Sequence, residues 1–147
     1  MINFQALPDE NSYRFIAVLN KKIPLGKLMN ALGHMTAGLA GRYNKAGEMH
    51  LLEYRDKDNN IHPFISHFPF IVLKADNGNQ IRTVRNEAVK RNIMFTDFTS
   101  TMTVGTSEDQ VKRTLETPEA ELEYFGICMF GKTEELREFT KKFSLFQ

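Results

Sequence analysis

Two residues near the start of a predicted helix have types and spacing suited to chemistry. Lys27 follows Gly26, and His34 comes seven residues after Lys27. Because seven residues are almost two turns of an α-helix, both side chains occupy one helix face. A helix N-terminus favours anions, and an imidazole beside a cation can exchange a proton with a bound group. The pair predicts a site for an anion or for acid–base chemistry.

A second polar stretch reads Thr-Asp-Phe-Thr-Ser-Thr at residues 96–101. Asp97 at a strand end can orient a histidine or fix a water, and the hydroxyls that follow can form hydrogen bonds. The alternative is an Asx or Ser/Thr turn in which these side chains satisfy local backbone groups, and composition favours it. Spacing also leaves open that Lys27 is a solvated lysine and His34 a structural histidine.

Other chemistry-bearing residues form no recognised pattern. Three histidines lie on or beside a predicted hairpin, but no two have the i, i+4 spacing of helical metal ligands. These are His50, His62 and His67. We therefore predict no metal site, and without a glycine-rich phosphate motif we predict no cofactor. Four basic residues of the second predicted helix are expected to form a solvated outer face: Arg82, Arg85, Lys90 and Arg91.

The elements that must position these residues alternate between strands and helices. Strands are predicted at residues 13–19, 50–55, 61–67, 69–74 and 124–130, with a further strand at 93–102 that ends in a polar loop. Helices are predicted at about 25–44, at 79–92, from 107 and at 132–142. The polar residues 56–60 between two of the strands predict a hairpin. The alternation predicts an α/β layer with at least some parallel pairing.

The first helix is expected to present different faces to the sheet and to the site. Its apolar stripe, expected to face the sheet, comprises Leu25, Leu28, Met29, Leu32, Met35, Leu39 and Tyr43. The face of Lys27 carries small residues instead, which are Ala31, Gly38 and Gly41. A ligand or another backbone could approach that face closely. The helix near residue 107 is expected to begin with a capping box of Ser107 and Gln110.

Composition describes one folded domain over residues 1–147, with residues 1–12 as a loosely held arm. Apolar residues make up 41% of the chain and charged residues 25%. The net charge of +1 argues against broad, sequence-independent binding of nucleic acid. The single cysteine, Cys128, lies in an apolar run and is expected to be a buried small hydrophobe. With no secretory signal and no apolar stretch near the roughly 18 residues of a membrane span, we expect a cytoplasmic protein with no membrane partner.

Gly26, Lys27 and His34, together with the later Asp97 and Thr101, resemble the layout of peptidyl-tRNA hydrolase type II. That family has a Gly-Lys pair at the start of its first helix, a His seven residues after the Lys, and a later Asp-x-x-x-Thr motif. The chain looks similar over nearly its whole length to a bacterial domain-of-unknown-function family, number 2000, grouped with those hydrolases by fold. That likeness is carried by Gly-Lys-x-x-Asn-Ala-x-Gly-His at residues 26–34 and Asp-Phe-Thr-x-x-Met at residues 97–102.

The resemblance implies an α/β fold with a small mixed β-sheet of about four to five strands and helices on both faces, peptidyl-tRNA hydrolase II-like. It implies hydrolysis of an ester bond in an RNA-linked or small acyl substrate. Lys27 would bind phosphate or stabilise an oxyanion, and His34, oriented by Asp97 or Thr101, would activate water. The implied ligand-binding residues are Gly26, Asn30 and Thr99. Ala31 stands where the hydrolases carry a Gln.

Two alternatives from other functional classes stay open. The chain could be a non-catalytic module that holds a small anionic ligand or a partner's acidic group at the first-helix N-terminus through Lys27. It could instead self-associate, with the face of Gly38 and Gly41 packed against a second copy in a homodimer. A tRNA partner is implied only by the hydrolase resemblance, and the near-zero net charge disfavours it.

Overall fold

The computed structural model describes residues 1–147 and has eleven regular helices and strands. The strands are β1 (Tyr13–Asn20), β2 (Leu51–Arg55), β3 (Ile61–Ser66), β4 (Phe70–Ala75), β5 (Met94–Thr99), β6 (Tyr124–Lys132) and β7 (Ser144–Leu145). The helices are α1 (Leu25–Tyr43), α2 (Gly78–Lys90), α3 (Ser107–Leu115) and α4 (Thr133–Thr140). Each predicted helix and strand is therefore present, and β7 is an additional short strand. No helix combines the length and apolar character needed to cross a membrane.

The main sheet has five strands in the order β5-β6-β1-β4-β7. β1 and β4 are parallel, as the alternation of elements predicts. β6 runs antiparallel to both β1 and β5, so β5 points in the same direction as β1 and β4. The carboxyl ends of these three strands consequently meet at one edge of the sheet, where α/β proteins commonly place ligands.

Helices cover both faces of this sheet, because successive strand residues point to opposite sides. α1 packs on one face, against side chains such as Phe15, Ala17 and Phe98. α2 and α4 pack on the other face, against side chains such as Ile16 and Ile127. The expected mixed sheet with a helix layer on each side is confirmed.

The buried stripe of α1 differs from the predicted one. Leu28, Met35 and Leu39 are buried as expected, but Leu25 is 59% and Met29 65% exposed. The prediction that these last two face the sheet is wrong. The helix contacts the sheet through an arc roughly 100° wide, and Leu25 and Met29 lie beyond one edge of it.

Ala31 lies inside the buried arc of α1 and is fully inaccessible to solvent. The expectation that it belongs to the open, small-residue face of Lys27 is therefore wrong. A Gln at this position would point into the core, where an unpaired amide would be costly. Alanine is the residue that this close contact between helix and sheet accepts.

β2 and β3 form the predicted hairpin, as a separate two-stranded sheet. Its turn is organised by Asp56, whose carboxylate accepts hydrogen bonds from the Asn60 side chain and backbone and from the Asp58 backbone, and contacts His62. These hydrogen bonds, that from the Asn60 side chain above all, lower the pKa of Asp56 to about 2. Asn59 has a φ of 68°, a turn conformation that asparagine tolerates well.

The N-cap of α3 lies one residue before the predicted one. Thr106, not Ser107, is the N-cap, and its side chain accepts a hydrogen bond from the backbone N–H of Asp109. The Asp109 carboxylate accepts in return from the backbone N–H of Thr106, which lowers the pKa of Asp109. Gly105 sets the position of the cap, because its φ of +85° turns the chain immediately before Thr106.

The basic face of α2 is paired rather than simply solvated, which corrects the prediction for three of its four residues. Arg82 binds Glu119 at 2.8 Å, and Arg85 binds Asp97 at 2.8 Å. Arg91, which caps the C-terminus of α2, binds Glu87 of that helix and also contacts Glu138 of α4. These pairs tie α2 to the segments packed around it.

Candidate functional site

A cleft of ≈ 670 Å³ lies between α1 and the segment that connects β5 to α3. Its walls come from α1, from β5 and from the first residues of α3. The lining residues are Asn30, His34, Met35, Thr96, Asp97, Phe98, Met102, Thr103, Gly105, Thr106, Ser107 and Gln110. The cleft therefore contains the predicted His34 and Asn30 together with a loop that did not stand out in the sequence.

The position of His34 in this cleft is set by the contact between α1 and β5. The Thr96 hydroxyl donates a hydrogen bond to the Met35 carbonyl oxygen at 2.7 Å. Gly38 lies at this contact, where an added Cβ would be 3.5 Å from the Thr96 methyl group, an ordinary van der Waals distance. With the helix held there, the His34 ring lies 6.0 Å from the Phe98 ring, centroid to centroid.

His34 and Asn30 are exposed on the α1 wall, and neither side chain has a hydrogen-bond partner within the chain. Across the cleft, the Ser107 hydroxyl is also unpartnered. Other polar groups of the wall are already used: Thr103 donates to the Ser100 carbonyl, and Gln110 donates to the Gly105 carbonyl. An imidazole, an amide and a hydroxyl are therefore the groups that remain free to bind a ligand.

The carboxylate of Asp97 is not brought to His34. Thr96 and Phe98 point toward α1, so Asp97 between them points toward α2. There its carboxylate accepts a hydrogen bond from Arg85 Nε at 2.8 Å, and the Arg85 guanidinium also lies 5.5 Å from the centre of the Phe95 ring. The predicted role of Asp97 in orienting His34 has no geometric support.

Thr99 and Thr101 are buried, and neither lines the cleft. Their hydroxyl oxygens are 2.7 Å apart, and the Thr101 hydroxyl is 2.8 Å from that of Thr114 on α3. Thr114 in turn donates to the Gln110 carbonyl. This chain of hydroxyls fastens α3 to the end of β5. Thr99 and Thr101 thus bond other side chains, rather than the local backbone groups of the turn interpretation.

Lys27 and Gly26 lie at the start of α1, outside the cleft walls. Lys27 is exposed and forms no ion pair, and it lies about 10 Å from His34 along the helix axis. The carboxylates nearest the cleft are already engaged, Asp97 by Arg85 and Asp109 by the helix cap. Lys27 is thus an unpaired positive charge on α1, while Glu108, which follows Ser107 on α3, is an unpaired negative charge.

Cys128 and the other histidines lie away from the cleft mouth. Cys128 is inaccessible to solvent, and burial raises the pKa of its thiol to about 12, which confirms the buried hydrophobe predicted for it. His62 contacts Asp56 in the hairpin turn. His50 packs edge-on against Phe68, and His67 packs on it at a tilt. The three histidines do not converge on a common point.

The loop at residues 102–107 is the part of the site that sequence reasoning missed. The signal was present as Thr-Val-Gly-Thr-Ser, a run of hydroxyls and glycine just after a strand whose carboxyl end faces the ligand edge of the sheet.

Self-association through the face of Gly38 and Gly41 stays a prediction. Gly38 already lies against Thr96 of the same chain. Light scattering on dilution tests whether the chain forms a dimer through this face.

Comparison with protein families matches residues 13–147 to a family described as a protein of unknown function, DUF2000. Among solved structures, a protein of unknown function from Agrobacterium tumefaciens is similar with a TM-score of 0.79 and 16% sequence identity. The alignment covers 92% of this chain and 98% of that one. At this identity the likeness shows a shared fold. Comparison with curated proteins finds no match.

Proposed function

We propose, from the premise that this chain belongs to the DUF2000 family of proteins of unknown function, that it binds a small anionic ligand in the cleft of His34. The observation that carries the proposal is the pair of free polar side chains on one wall. His34 and Asn30 lie four residues apart on α1, one turn from each other, and neither is satisfied within the chain. Two adjacent polar side chains in a cleft, each without a partner in the chain, are available to bind one ligand together.

The unpartnered polar groups of the cleft favour an anionic or carbonyl oxygen on that partner. The Asn30 amide and a His34 ring nitrogen can donate to such an oxygen, and Ser107 can donate from the opposite wall. Lys27 supplies a positive field at the open end of the helix. Asp97 and Asp109 do not oppose the anion strongly, because each carboxylate already has its partners.

Titration calorimetry with inorganic phosphate, acetate and acetyl phosphate tests this binding. We expect saturable binding that weakens with salt, as a charged contact should. His34→Ala and Asn30→Ala should each weaken it by about tenfold, the value of one charge-assisted hydrogen bond. Lys27→Ala should reduce the salt dependence.

The matched controls are His62→Ala and Lys57→Ala in the hairpin turn, which remove the same side-chain types away from the cleft. Their binding should equal that of the unsubstituted protein. The proposal is wrong if none of the three anions binds saturably, or if the hairpin variants lose as much affinity as the cleft variants.

A second candidate is hydrolysis of an ester in a small acyl or RNA-linked substrate. It is favoured by the free imidazole of His34 beside a potential oxyanion donor, Asn30. His34 would take a proton from water while the water oxygen attacks the ester carbonyl carbon. As the bond to the leaving alcohol breaks, the proton would pass from His34 to the departing oxygen. Asn30 would stabilise the charge on the carbonyl oxygen.

This hydrolysis would proceed without a carboxylate behind the histidine, because Asp97 is bound by Arg85. The near-zero net charge favours small acyl esters over a tRNA, whose backbone rewards a stronger positive field. Turnover of N-acetyl-aminoacyl esters and of N-acetyl-aminoacyl-tRNA should therefore be compared. Loss of turnover in His34→Ala with retention in His62→Ala supports the activity. No turnover of either substrate by the unsubstituted protein contradicts it.

A further inference from the structure

We infer that the ligand of the His34 cleft carries a linear acyl chain, and that this chain lies along the exposed apolar face of α3. The inference rests on the proposed function, because it takes the anionic head group to be held by His34 and Asn30. The structure adds a second cavity that runs on from the first, and this cavity has a different chemical character.

The second cavity, also of ≈ 670 Å³, lies along one side of α3. It is lined by Met102, Ser107, Gln110, Val111, Thr114 and Leu115. Val111 and Leu115, one turn apart, are 69% and 85% exposed. No residue of α3 is buried, so its apolar stripe is unpartnered along its length.

The fold itself does not require this apolar stripe. α3 is held to the body by polar contacts, namely the hydroxyl pair of Thr101 and Thr114 and the hydrogen bonds from Arg113 to the Thr101 and Val104 carbonyls. The capping box of Thr106 and Asp109 completes its N-terminus. Since polar contacts anchor the helix, the two large apolar side chains are free to contact another molecule.

Continuity between the two cavities identifies that molecule as the tail of the same ligand. Both cavities are lined by Met102, Ser107 and Gln110, so the polar cleft opens directly onto the apolar groove. From Ser107 to Leu115 the groove runs about 12 Å along the helix, which suits an extended chain of roughly eight carbons. An anion with a straight acyl chain would place its charged head group in the polar cleft and its hydrocarbon tail along the apolar groove.

A series of straight-chain carboxylates tests this inference: acetate, butyrate, hexanoate, octanoate and decanoate, each below its micelle concentration. Each added methylene buried in the groove should tighten binding up to about fourfold, until the groove is full near eight carbons. A parallel series of alkyl phosphates shows whether the head group is a carboxylate or a phosphate. Affinities are measured by titration calorimetry on the full chain.

Variants separate the tail from the head group. Val111→Ser and Leu115→Ser should flatten the dependence on chain length and leave the affinity for acetate unchanged. Val89→Ser, on an exposed position of α2, is the matched control and should keep the dependence. His34→Ala should weaken every member of the series by the same factor.

The outcomes distinguish this inference from the proposed function. If acetate and decanoate bind with equal affinity, the acyl groove is wrong and anion binding stands. If no member of either series binds, anion binding fails and the groove fails with it. If affinity rises with chain length equally in Val111→Ser, Leu115→Ser and Val89→Ser, the chain binds elsewhere and the inference is overturned. A dimer dissociated by Leu115→Ser in light scattering would assign the face to a second copy instead.

Discussion

Thr96 and Asp97 are neighbours in β5, yet strand alternation turns their side chains to opposite faces of the sheet. Thr96 binds the backbone of α1, while Asp97 binds Arg85 of α2. His34 is therefore left without a protein carboxylate, and its free ring nitrogens are available to a ligand. At the scale of single residues, the site consists of α1 side chains and the loop after β5. Asp97 lies on the opposite face of the sheet, where it binds Arg85.

We predict that Asp97→Asn lowers stability without affecting binding in the cleft. Replacing the carboxylate weakens its hydrogen bond with the half-buried Arg85, which should cost about 1 kcal/mol. Urea unfolding measures that loss, and calorimetry with the anions above measures binding.

Arg85→Gln is the matched control for Asp97→Asn, because it removes the other charge of the same pair. The double variant should be little less stable than either single variant, since both lose one shared interaction. An Asp97→Asn protein that folds normally but binds anions about tenfold more weakly would place Asp97 in the site after all.

Two glycines near the contact between α1 and the sheet differ in what an added side chain would meet. Gly126 in β6 lies directly beneath the helix: a Cβ there would be 2.8 Å from Leu19 Cδ2 and 3.0 Å from Met35 Cε. Gly33 lies on the outer side of α1 and would place a Cβ in open space. One glycine permits the packing, and the other is merely an exposed helical residue.

We expect Gly126→Ala to destabilise the protein by about 1 kcal/mol, because the buried ends of the Leu19 and Met35 side chains must shift to admit the added methyl. Gly33→Ala should stabilise it by roughly 0.5–1 kcal/mol, the difference in helix propensity. Thermal and urea unfolding measure both. Equal effects of the two substitutions would mean that α1 is not seated on β6 as described.

The hairpin of β2 and β3 pairs with no strand of the main sheet. It is a two-stranded sheet with exposed apolar side chains, among them Phe64 and Ile65. Two-stranded sheets are only marginally stable alone in water. Its local stability should therefore lie well below that of the five-stranded sheet.

Hydrogen exchange followed by mass spectrometry should show this difference. Amides of β2 and β3 are expected to exchange through local opening, while those of β1 and β6, central in the main sheet, exchange only through global unfolding. Destabilising the whole protein with Gly126→Ala should accelerate exchange in β1 and β6 much more than in the hairpin. Equal protection of hairpin and central strands would contradict the prediction.

At the scale of the whole molecule, stability should fall at both ends of the pH range. Bonds to their partners lower the pKa values of four carboxyl groups, which are Asp56, Asp76, Asp109 and Glu119. A lowered pKa stabilises the fold above the unfolded value, 3.8 for Asp and 4.5 for Glu. That contribution is lost as the pH falls through the folded pKa values.

On the alkaline side, burial raises the pKa values of Tyr124 and Cys128 to about 12 each. Their contribution is fully present below the unfolded values of 10.0 and 9.0 and is lost as the pH rises through the folded values. The melting temperature should be highest between these limits. Circular dichroism from about pH 2 to pH 11 measures it. Glu119→Gln should reduce the fall in melting temperature at acid pH. A melting temperature independent of pH would contradict both assignments.

Patterns within single segments were sufficient to predict the helices, the strands, the hairpin and the buried Cys128. Local periodicity, turn residues and an unbroken apolar run determine these features before any long-range contact forms. The same reasoning predicted that Lys27 and His34 share a helix face, since that depends only on helix geometry.

The tertiary structure alone decided which of these residues meet. The direction of Asp97 depends on which sheet face α1 covers, and the exposure of Leu25 and Met29 depends on how far the sheet extends beneath the helix. The loop at residues 102–107 lines the same cleft as His34 only because β5 lies at the edge of the sheet beside α1. Contacts between segments distant in sequence arise from the packing of whole elements, which no local pattern records.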